Sequence, residues 1–261
     1  MLQLTDQALA YRRAYDTQLR TRPYPGAVRV GPVLRRDGGP GGGFLTYRDL
    51  GGLTGAELDG FIAAQCAYFG GRGEAFEWKY HAHDLPEELP ERLRAAGFVP
   101  EDEEVVLIGE ATDLATPPAL PEGVRLREVT ARADLERIQQ LQQDVWGGDQ
   151  SWQADALARE IAGPGDPCVV IVVETDAEVL CAGRVNFHEG TEFASIWGGS
   201  TRREWRGQGL YRATVAYRAQ LAIDRGFRYL QVDTSVDSRP ILRRLGMVPV
   251  AVTVPYLWHP S

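Results

Sequence analysis

Thr201-Arg-Arg-Glu-Trp-Arg-Gly-Gln-Gly-Leu-Tyr-Arg212 decides how this chain is read. The run 192–199 that enters it is strand-like. The run 210–225 that leaves it sets Leu210, Ala213, Tyr217 and Leu221 on one helical face. Arg206-Gly-Gln-Gly209 is therefore a glycine turn feeding a helix N-terminus. Several backbone N–H groups of such a turn point at one spot, with the positive end of the helix dipole behind them. Glycine lets the main chain approach a ligand with no Cβ in the way. Arg202, Arg203, Arg206 and Arg212 add positive charge beside it. The natural occupant is a phosphate or pyrophosphate.

Those arginines stand against the sign of the whole. The 261-residue chain has a formal net charge of −8, which argues against a general nucleic-acid binder and for a small anionic ligand. Its length suits one large domain or two small ones. Cys66, Cys168 and Cys181 are too few and too scattered for a disulfide framework or a zinc site, and read as buried reduced thiols; no metal is expected. The N-terminus lacks a basic segment followed by an apolar core, and no run approaches the ~20 apolar residues of a membrane span. The expectation is a cytoplasmic protein with no membrane partner.

Working outward, 2–20 has near-helical spacing of Leu4, Leu9, Ala10, Tyr15 and Leu19. Gly38-Gly-Pro-Gly-Gly-Gly43 reads as a flexible loop between the strand-like runs 28–34 and 44–50, and no helix follows it directly. Thr54-Gly-Ala-Glu57 reads as a capping box opening a helix through Phe69. Strand 75–81, helix 89–96 closed by Gly97, and strand 104–109 follow. Ala115-Thr-Pro-Pro-Ala-Leu-Pro121 reads as a linker between domains. After it come strand 124–129, a helix capped by Thr130, helix 152–161, strands 168–174, 179–187 and 192–199, the glycine turn with its helix, strand 229–233, helix 240–245 and strand 248–254.

The two halves end alike. Strand 75–81, a helix ending Arg94-Ala-Ala-Gly-Phe-Val-Pro100, then strand 104–109 is echoed by strand 229–233, a helix ending Arg244-Leu-Gly-Met-Val-Pro249, then a final strand. A longer helix precedes each copy. Two tandem copies of one fold are expected: 1–114, a linker at 115–122, and 123–261. The first copy's helix starts at Gly51-Gly-Leu-Thr-Gly55 with no arginine beside it, so only the second carries the anion site.

Two readings of the glycine turn fail on residues. A P-loop ends Gly-Lys-Ser/Thr, where this chain has Leu210-Tyr211. A dinucleotide fingerprint needs Gly or Ala at its sixth position, where this chain has Arg212, and too little chain follows for a doubly wound sheet. The third is a resemblance. Arg206, Gly207, Gln208, Gly209, Leu210 and Tyr211, with the strand before and the helix after, resemble the Arg/Gln-x-x-Gly-x-Gly/Ala motif of the GCN5-related N-acetyltransferase (GNAT) superfamily. The element order of 124–254 is also similar, and 1–112 resembles a degenerate copy, most clearly from Glu77-Trp-Lys to Gly97-Phe98. The fold class implied is α+β: a mostly antiparallel sheet flanked by helices, in two tandem copies.

The resemblance implies acetyl-CoA as cosubstrate and an amine of a small molecule or protein as acceptor. The N–H groups of Gly207 to Tyr211 would hold the pyrophosphate, with Arg206 and Arg212 beside them. Gly199, Ser200 and Thr201 would pair with the pantetheine arm as an added strand does. Ser235 and Ser238 lie where the family often has an Asn near that arm; turn and helix-cap roles also suit them. Two departures stand out. Tyr211 replaces a small residue, so the turn must accommodate its ring, expected to point outward. Leu242 replaces the tyrosine that protonates the departing thiolate. Glu192 and Asp233 are candidate bases by position, and Tyr211, Tyr256 and His259 candidate acids. His188 and Glu189 read as loop residues; His81 and His83, near Trp78 and Tyr80, as strand and turn packing or a substrate cleft. The alternative function is a non-catalytic acyl-CoA-binding or interaction protein. The acceptor stays open, and a homodimer is compatible with the sequence.

Overall fold

The computed structural model describes residues 4–39, 42–116, 119–163 and 167–260. Leu2 and Gln3 of the first expected helix, Pro40 and Gly41 of the glycine loop, and Pro117 and Pro118 of the expected linker lie outside the described residues. The chain forms two compact units: Met1–Leu107 with Asp233–Arg243 and Val248–Ser261, and Ile108–Val232 with Arg244–Met247.

Unit 1 opens with α1 (Asp6–Ala14), capped by Thr5 Oγ1 on the Ala8 N–H and running on as a π-helical turn over Tyr15–Leu19. The single strand expected at 28–34 is a hairpin, β1 (Val28–Val30) and β2 (Val33–Gly39), turning at Gly31 with φ +56°. Then come β3 (Gly42–Tyr47), α2 (Gly55–Gly70), β4 (Phe76–His81), α3 (Leu89–Ala95), β5 (Val99–Pro100) and β6 (Glu104–Glu110), whose residues from Ile108 on belong to unit 2. The β3–β4 pair is parallel; β1–β2 and β2–β3 are antiparallel. The aromatic core of this unit centres on Trp78, Phe69, Phe76, Tyr47 and Tyr256.

Unit 2 continues with α4 (Ala111–Leu114), β7 (Arg125–Val129), α5 (Arg132–Trp146), α6 (Gln153–Ala162), β8 (Cys168–Glu174), β9 (Val179–Phe187), β10 (Phe193–Thr201), α7 (Leu210–Asp224) and β11 (Tyr229–Thr234), whose last two residues belong to unit 1. Strands β7 to β10 run antiparallel in sequence order, and β10–β11 is parallel. Val170, Val172 and Ala182 pack under Leu135, Ile138, Leu141 and Leu157 of α5 and α6. No described helix is long and apolar enough to cross a membrane.

Of the last elements, α8 (Arg239–Arg244) as far as Arg243 and β12 (Val248–Trp258) lie in unit 1. β12 pairs antiparallel with β4 over six residues, from Thr253 opposite His81 to Trp258 opposite Phe76, and Tyr256 enters the unit 1 core. Six paired positions and a buried ring hold β12 in unit 1, although it closes the second half of the sequence. Two cap readings fail. Thr54 stands at the N-cap of α2 but its side chain makes no cap bond, and the N-cap of α5 is Ala131 rather than Thr130.

Candidate functional site

In unit 2 the strands β10 and β11 pair over three positions only, Phe193–Tyr229, Ala194–Leu230 and Ser195–Gln231. From Ile196 onward β10 has left β11, so the parallel pair opens at its C-terminal end. The register of β10 with β9 shifts between Trp197 and Ser200. That bulge is built on Gly198, whose φ of +64° is the left-handed region glycine enters at no steric cost. The edge of β10 beyond Ser195 is therefore not paired with β11.

The glycine turn lies beyond this strand end. A 3₁₀ turn, Arg203–Trp205, precedes it; Gly207 and Gly209 have φ +78° and +82°, and Gly209 is the N-cap of α7. That helix starts with no side-chain cap and no acid in its first turn. The N–H groups of Leu210, Tyr211 and Arg212 have no partner within the helix, and the exposed glycines leave them accessible. The charge beside the turn is smaller than four arginines. Arg202 is committed to Asp144 (Nη1–Oδ2 2.9 Å), Glu178 (2.9 Å) and the Val179 carbonyl, and Arg206 Nε folds back onto the Thr201 carbonyl at 3.3 Å. Arg203 and Arg212 are exposed and, among the described residues, have no acidic partner. They are the cations that an anion at this turn would meet.

Tyr211 points inward, contrary to expectation. A Cβ placed on Gly199 would lie 2.5 Å from Tyr211 Cε2, so the ring lies flat against the strand where that glycine leaves room. The guanidinium of Arg218, itself buried and held by the Thr214 carbonyl and hydroxyl, stands 5.9 Å from the centre of that ring. Burial raises the Tyr211 pKa, with Arg218 opposing it. The phenol stands at the turn and packs there, so it is a poor proton donor to a thiolate further along the strand. Gly199→Ala is expected to cost about 2 kcal/mol by overpacking. In the Tyr211→Ala background the same change should cost under about 0.5 kcal/mol, since the ring it strikes is gone. Urea unfolding of the four proteins of this cycle measures the difference; equal costs in both backgrounds would refute the contact. Thr201 Oγ1 bonds Cys181 Sγ at 3.2 Å, and Ser200 Oγ accepts Trp146 Nε1 at 2.8 Å, so both side chains are spent on packing and only their backbone is offered to a ligand.

The acids selected from the sequence are engaged. Glu192, at the start of β10, faces Arg228 (Oε1–Nη1 3.8 Å). Asp233 belongs to unit 1 and bonds Lys79 Nζ at 2.5 Å, with Glu104 on the same ammonium at 2.8 Å. Burial would lower the Lys79 pKa, but Asp233, Glu104 and Glu77 outweigh it and raise it; burial pushes the Glu77 carboxyl up to about 7. Asp233 is therefore engaged by an ammonium inside unit 1. Ser235 and Ser238 also lie in unit 1, where the Ser238 carbonyl takes the Ile241 and Leu242 N–H groups as a helix start. Leu242 is fully buried and supplies no proton.

A pair that the sequence did not single out stands at the opening itself. Ser195 is the last residue of β10 paired with β11. Its Oγ lies 2.7 Å from His188 Nε2 and 2.7 Å from Trp197 Nε1. An indole N–H only donates, so Ser195 Oγ accepts from Trp197, and the same oxygen lies within hydrogen-bond distance of His188 Nε2. The imidazole and the hydroxyl stand together at the mouth of the opening.

Comparison with known proteins follows from this geometry. By sequence, the chain matches no family model and no curated protein. By structure, it is similar to a GCN5-related N-acetyltransferase from Kribbella flavida, at TM-score 0.68 and 19% identity over 97% of this chain and 96% of that one. A functionally unknown conserved protein from Staphylococcus epidermidis superposes with TM-score 0.68 at 13% identity, over 96% and 98% of the two chains. A tandem GNAT protein from the clavulanic acid biosynthesis pathway does so with TM-score 0.62 at 17% identity, over 92% and 86%. The chain has the tandem GNAT fold.

Unit 1 has a comparable strand opening, and its described residues fill it. Here β3 and β4 are also parallel over three positions, ending at Leu45–Trp78, and α2 also follows the opening strand. In this copy the chain supplies its own ligands. The carboxylate of Glu88 accepts the Gly55 N–H at the start of α2, at 2.8 Å, which places an internal anion on that helix N-terminus. Arg20 donates Nη2 to the Tyr47 carbonyl at the end of β3, at 2.8 Å, and binds Asp84 beyond β4. Tyr15 Oη meets His81 Nε2 at 3.1 Å and His83 lies 3.3 Å from Asp16, so these histidines belong to the filling of unit 1.

Proposed function

We propose that unit 2 is an acetyl-CoA-dependent N-acetyltransferase. The observation that carries this reading is the uncapped, acid-free start of α7, entered through two left-handed glycines at the open end of a parallel strand pair. The N–H groups of Gly207 to Tyr211 would take the pyrophosphate, with Arg203 and Arg212 beside it. The unpaired edge of β10 from Ile196 to Gly199 would take the amides of the pantetheine arm. Acetyl-CoA supplies an activated thioester. The protein's part is to align it with an amine, to polarise its carbonyl through a β10 N–H, and to take a proton from the amine. That proton would pass through Ser195 to His188, whose Nε2 lies 2.7 Å from the hydroxyl oxygen.

One observation favours a second reading. With Leu242 in the core and the Tyr211 ring packed against Gly199, neither residue stands ready to protonate a thiolate, as suits a non-catalytic acyl-CoA-binding protein. Thiol release separates the two. The enzyme is expected to release CoA thiol from acetyl-CoA when an amine is added, whereas a binder is stabilised by CoA and turns over no amine. If CoA gives no thermal stabilisation, both readings fall.

A further inference from the structure

On the face of β9 and β10 that packs under α5 and α6, polar side chains form one continuous row. Asn186, directly across from Ser195, donates Nδ2 to Glu160 of α6 at 2.6 Å. Two residues back along β9, Arg184 pairs with the other oxygen of Glu160 at 3.1 Å. A Cβ on Gly198 would lie 3.0 Å from Arg184 Nη1 and 3.6 Å from Gln142 Nε2, so Gln142 of α5 comes next. One helical turn later Trp146, 53% exposed and fixed to Ser200, forms the outer end.

Two oxygens of this row are buried with nothing to accept: Gln142 Oε1 and Asn186 Oδ1, on residues 5% and 8% exposed. A buried carbonyl oxygen without a donor is costly, and native proteins keep few of them. Both are acceptors, so what is missing is N–H or O–H. Charge is not what is missing, because Arg184 already balances Glu160. The spacing sets a further condition. Asn186 and Arg184 are two strand residues apart, about 7 Å, and Gln142 lies at the Arg184 end. One ammonium, reaching about 2.9 Å to each partner, does not span that.

We infer that this row is the acceptor subsite, and that the acceptor is a small primary amine carrying a second N–H or O–H donor several bonds from the first. This rests on the acetyl-transfer reading of unit 2. Asn186 takes the reacting amine beside Ser195 and His188, and Gln142 takes the distal donor.

The test uses the full chain, acetyl-CoA and three amines of equal chain length: butylamine, putrescine, and the amino alcohol in which a hydroxyl replaces the second amine of putrescine. Thiol release is expected to show kcat/KM at least tenfold higher for the two bifunctional amines than for butylamine, and the ratio between them tells whether N–H or O–H is preferred. Gln142→Leu breaks no side-chain hydrogen bond of the described residues. It is expected to keep CoA stabilisation, to hold or raise the Tm, and to erase the preference through the amine KM with the acetyl-CoA KM unchanged. Gln142→Met gives the same readout should the branched side chain fit poorly. Equal rates with butylamine, or a preference that survives both variants, overturns the inference. Loss of CoA stabilisation in the unmodified protein is a separate result that overturns the underlying reading instead.

Discussion

Gly209→Asp is expected to weaken CoA binding about 100-fold, equivalent to about 2.8 kcal/mol, while the protein stays folded. The two halves of that statement have different causes. Asp at an N-cap is among the better residues for starting a helix, and Asp tolerates left-handed backbone better than most, so the φ of +82° costs only ~1–2 kcal/mol. The same carboxylate would sit over the open N–H groups of Leu210, Tyr211 and Arg212. It would satisfy them internally and repel a pyrophosphate, which is what Glu88 does at the start of α2 in unit 1. Gly226→Asp is the control: φ is +80°, no atom lies within 4 Å of the added Cβ, and the change falls at the far end of α7. It carries the conformational cost with its carboxylate at the opposite end of the helix from the turn. Calorimetric titration with CoA decides. A Gly209→Asp protein that binds CoA as tightly as the Gly226→Asp protein would place the pyrophosphate elsewhere.

That contrast also shows what kind of information the sequence held. The glycine turn, the strand before it and the helix after it are legible because their signals are local: two glycines at fixed spacing, an apolar run, a helical face. The element order of both copies follows from the same short-range periodicity. Long-range pairing is written nowhere in such spacing. Arg202 looks like a phosphate ligand from its neighbours, yet Asp144, 58 residues earlier, claims it. Asp233 looks like a free strand-end acid, yet Lys79, 154 residues earlier, neutralises it. Tyr211 needs room that only Gly199, across the turn, provides. β12 pairs with β4 because its six-residue register there buries Tyr256 in an aromatic cluster, a choice no pattern within 248–258 discloses. Ser195 and His188 did leave a trace. A serine inside Phe193-Ala-Ser-Ile-Trp197 is a polar residue on an otherwise buried strand, and the Gly198-Gly199 pair that follows is the mark of a bulge.

The filled opening of unit 1 leads to the largest expected effect on stability. Arg20 is 2% exposed at its side chain, Asp84 1% and Asp16 8%, so a guanidinium lies between two carboxylates almost wholly out of water. Burial opposes ionisation of Asp16, and the bonds from His83 and Arg20 outweigh it, leaving its carboxyl below the usual range. Removing one partner of such a group leaves charge without compensation in a dry site, which costs ~3–5 kcal/mol. Asp84→Asn keeps the shape and one acceptor oxygen, and Asp16 remains, so the expected loss is at the lower end, about 3 kcal/mol. Urea unfolding measures it, and a loss below about 1 kcal/mol would mean that Asp16 alone balances Arg20. The Arg20→Met, Asp84→Leu double variant is expected to regain most of the loss, because apolar groups of similar volume remove the desolvation cost along with the attraction. Recovery would show that what unit 1 requires at the end of β3 is a filled opening, met here by a salt bridge and open in unit 2 to a ligand.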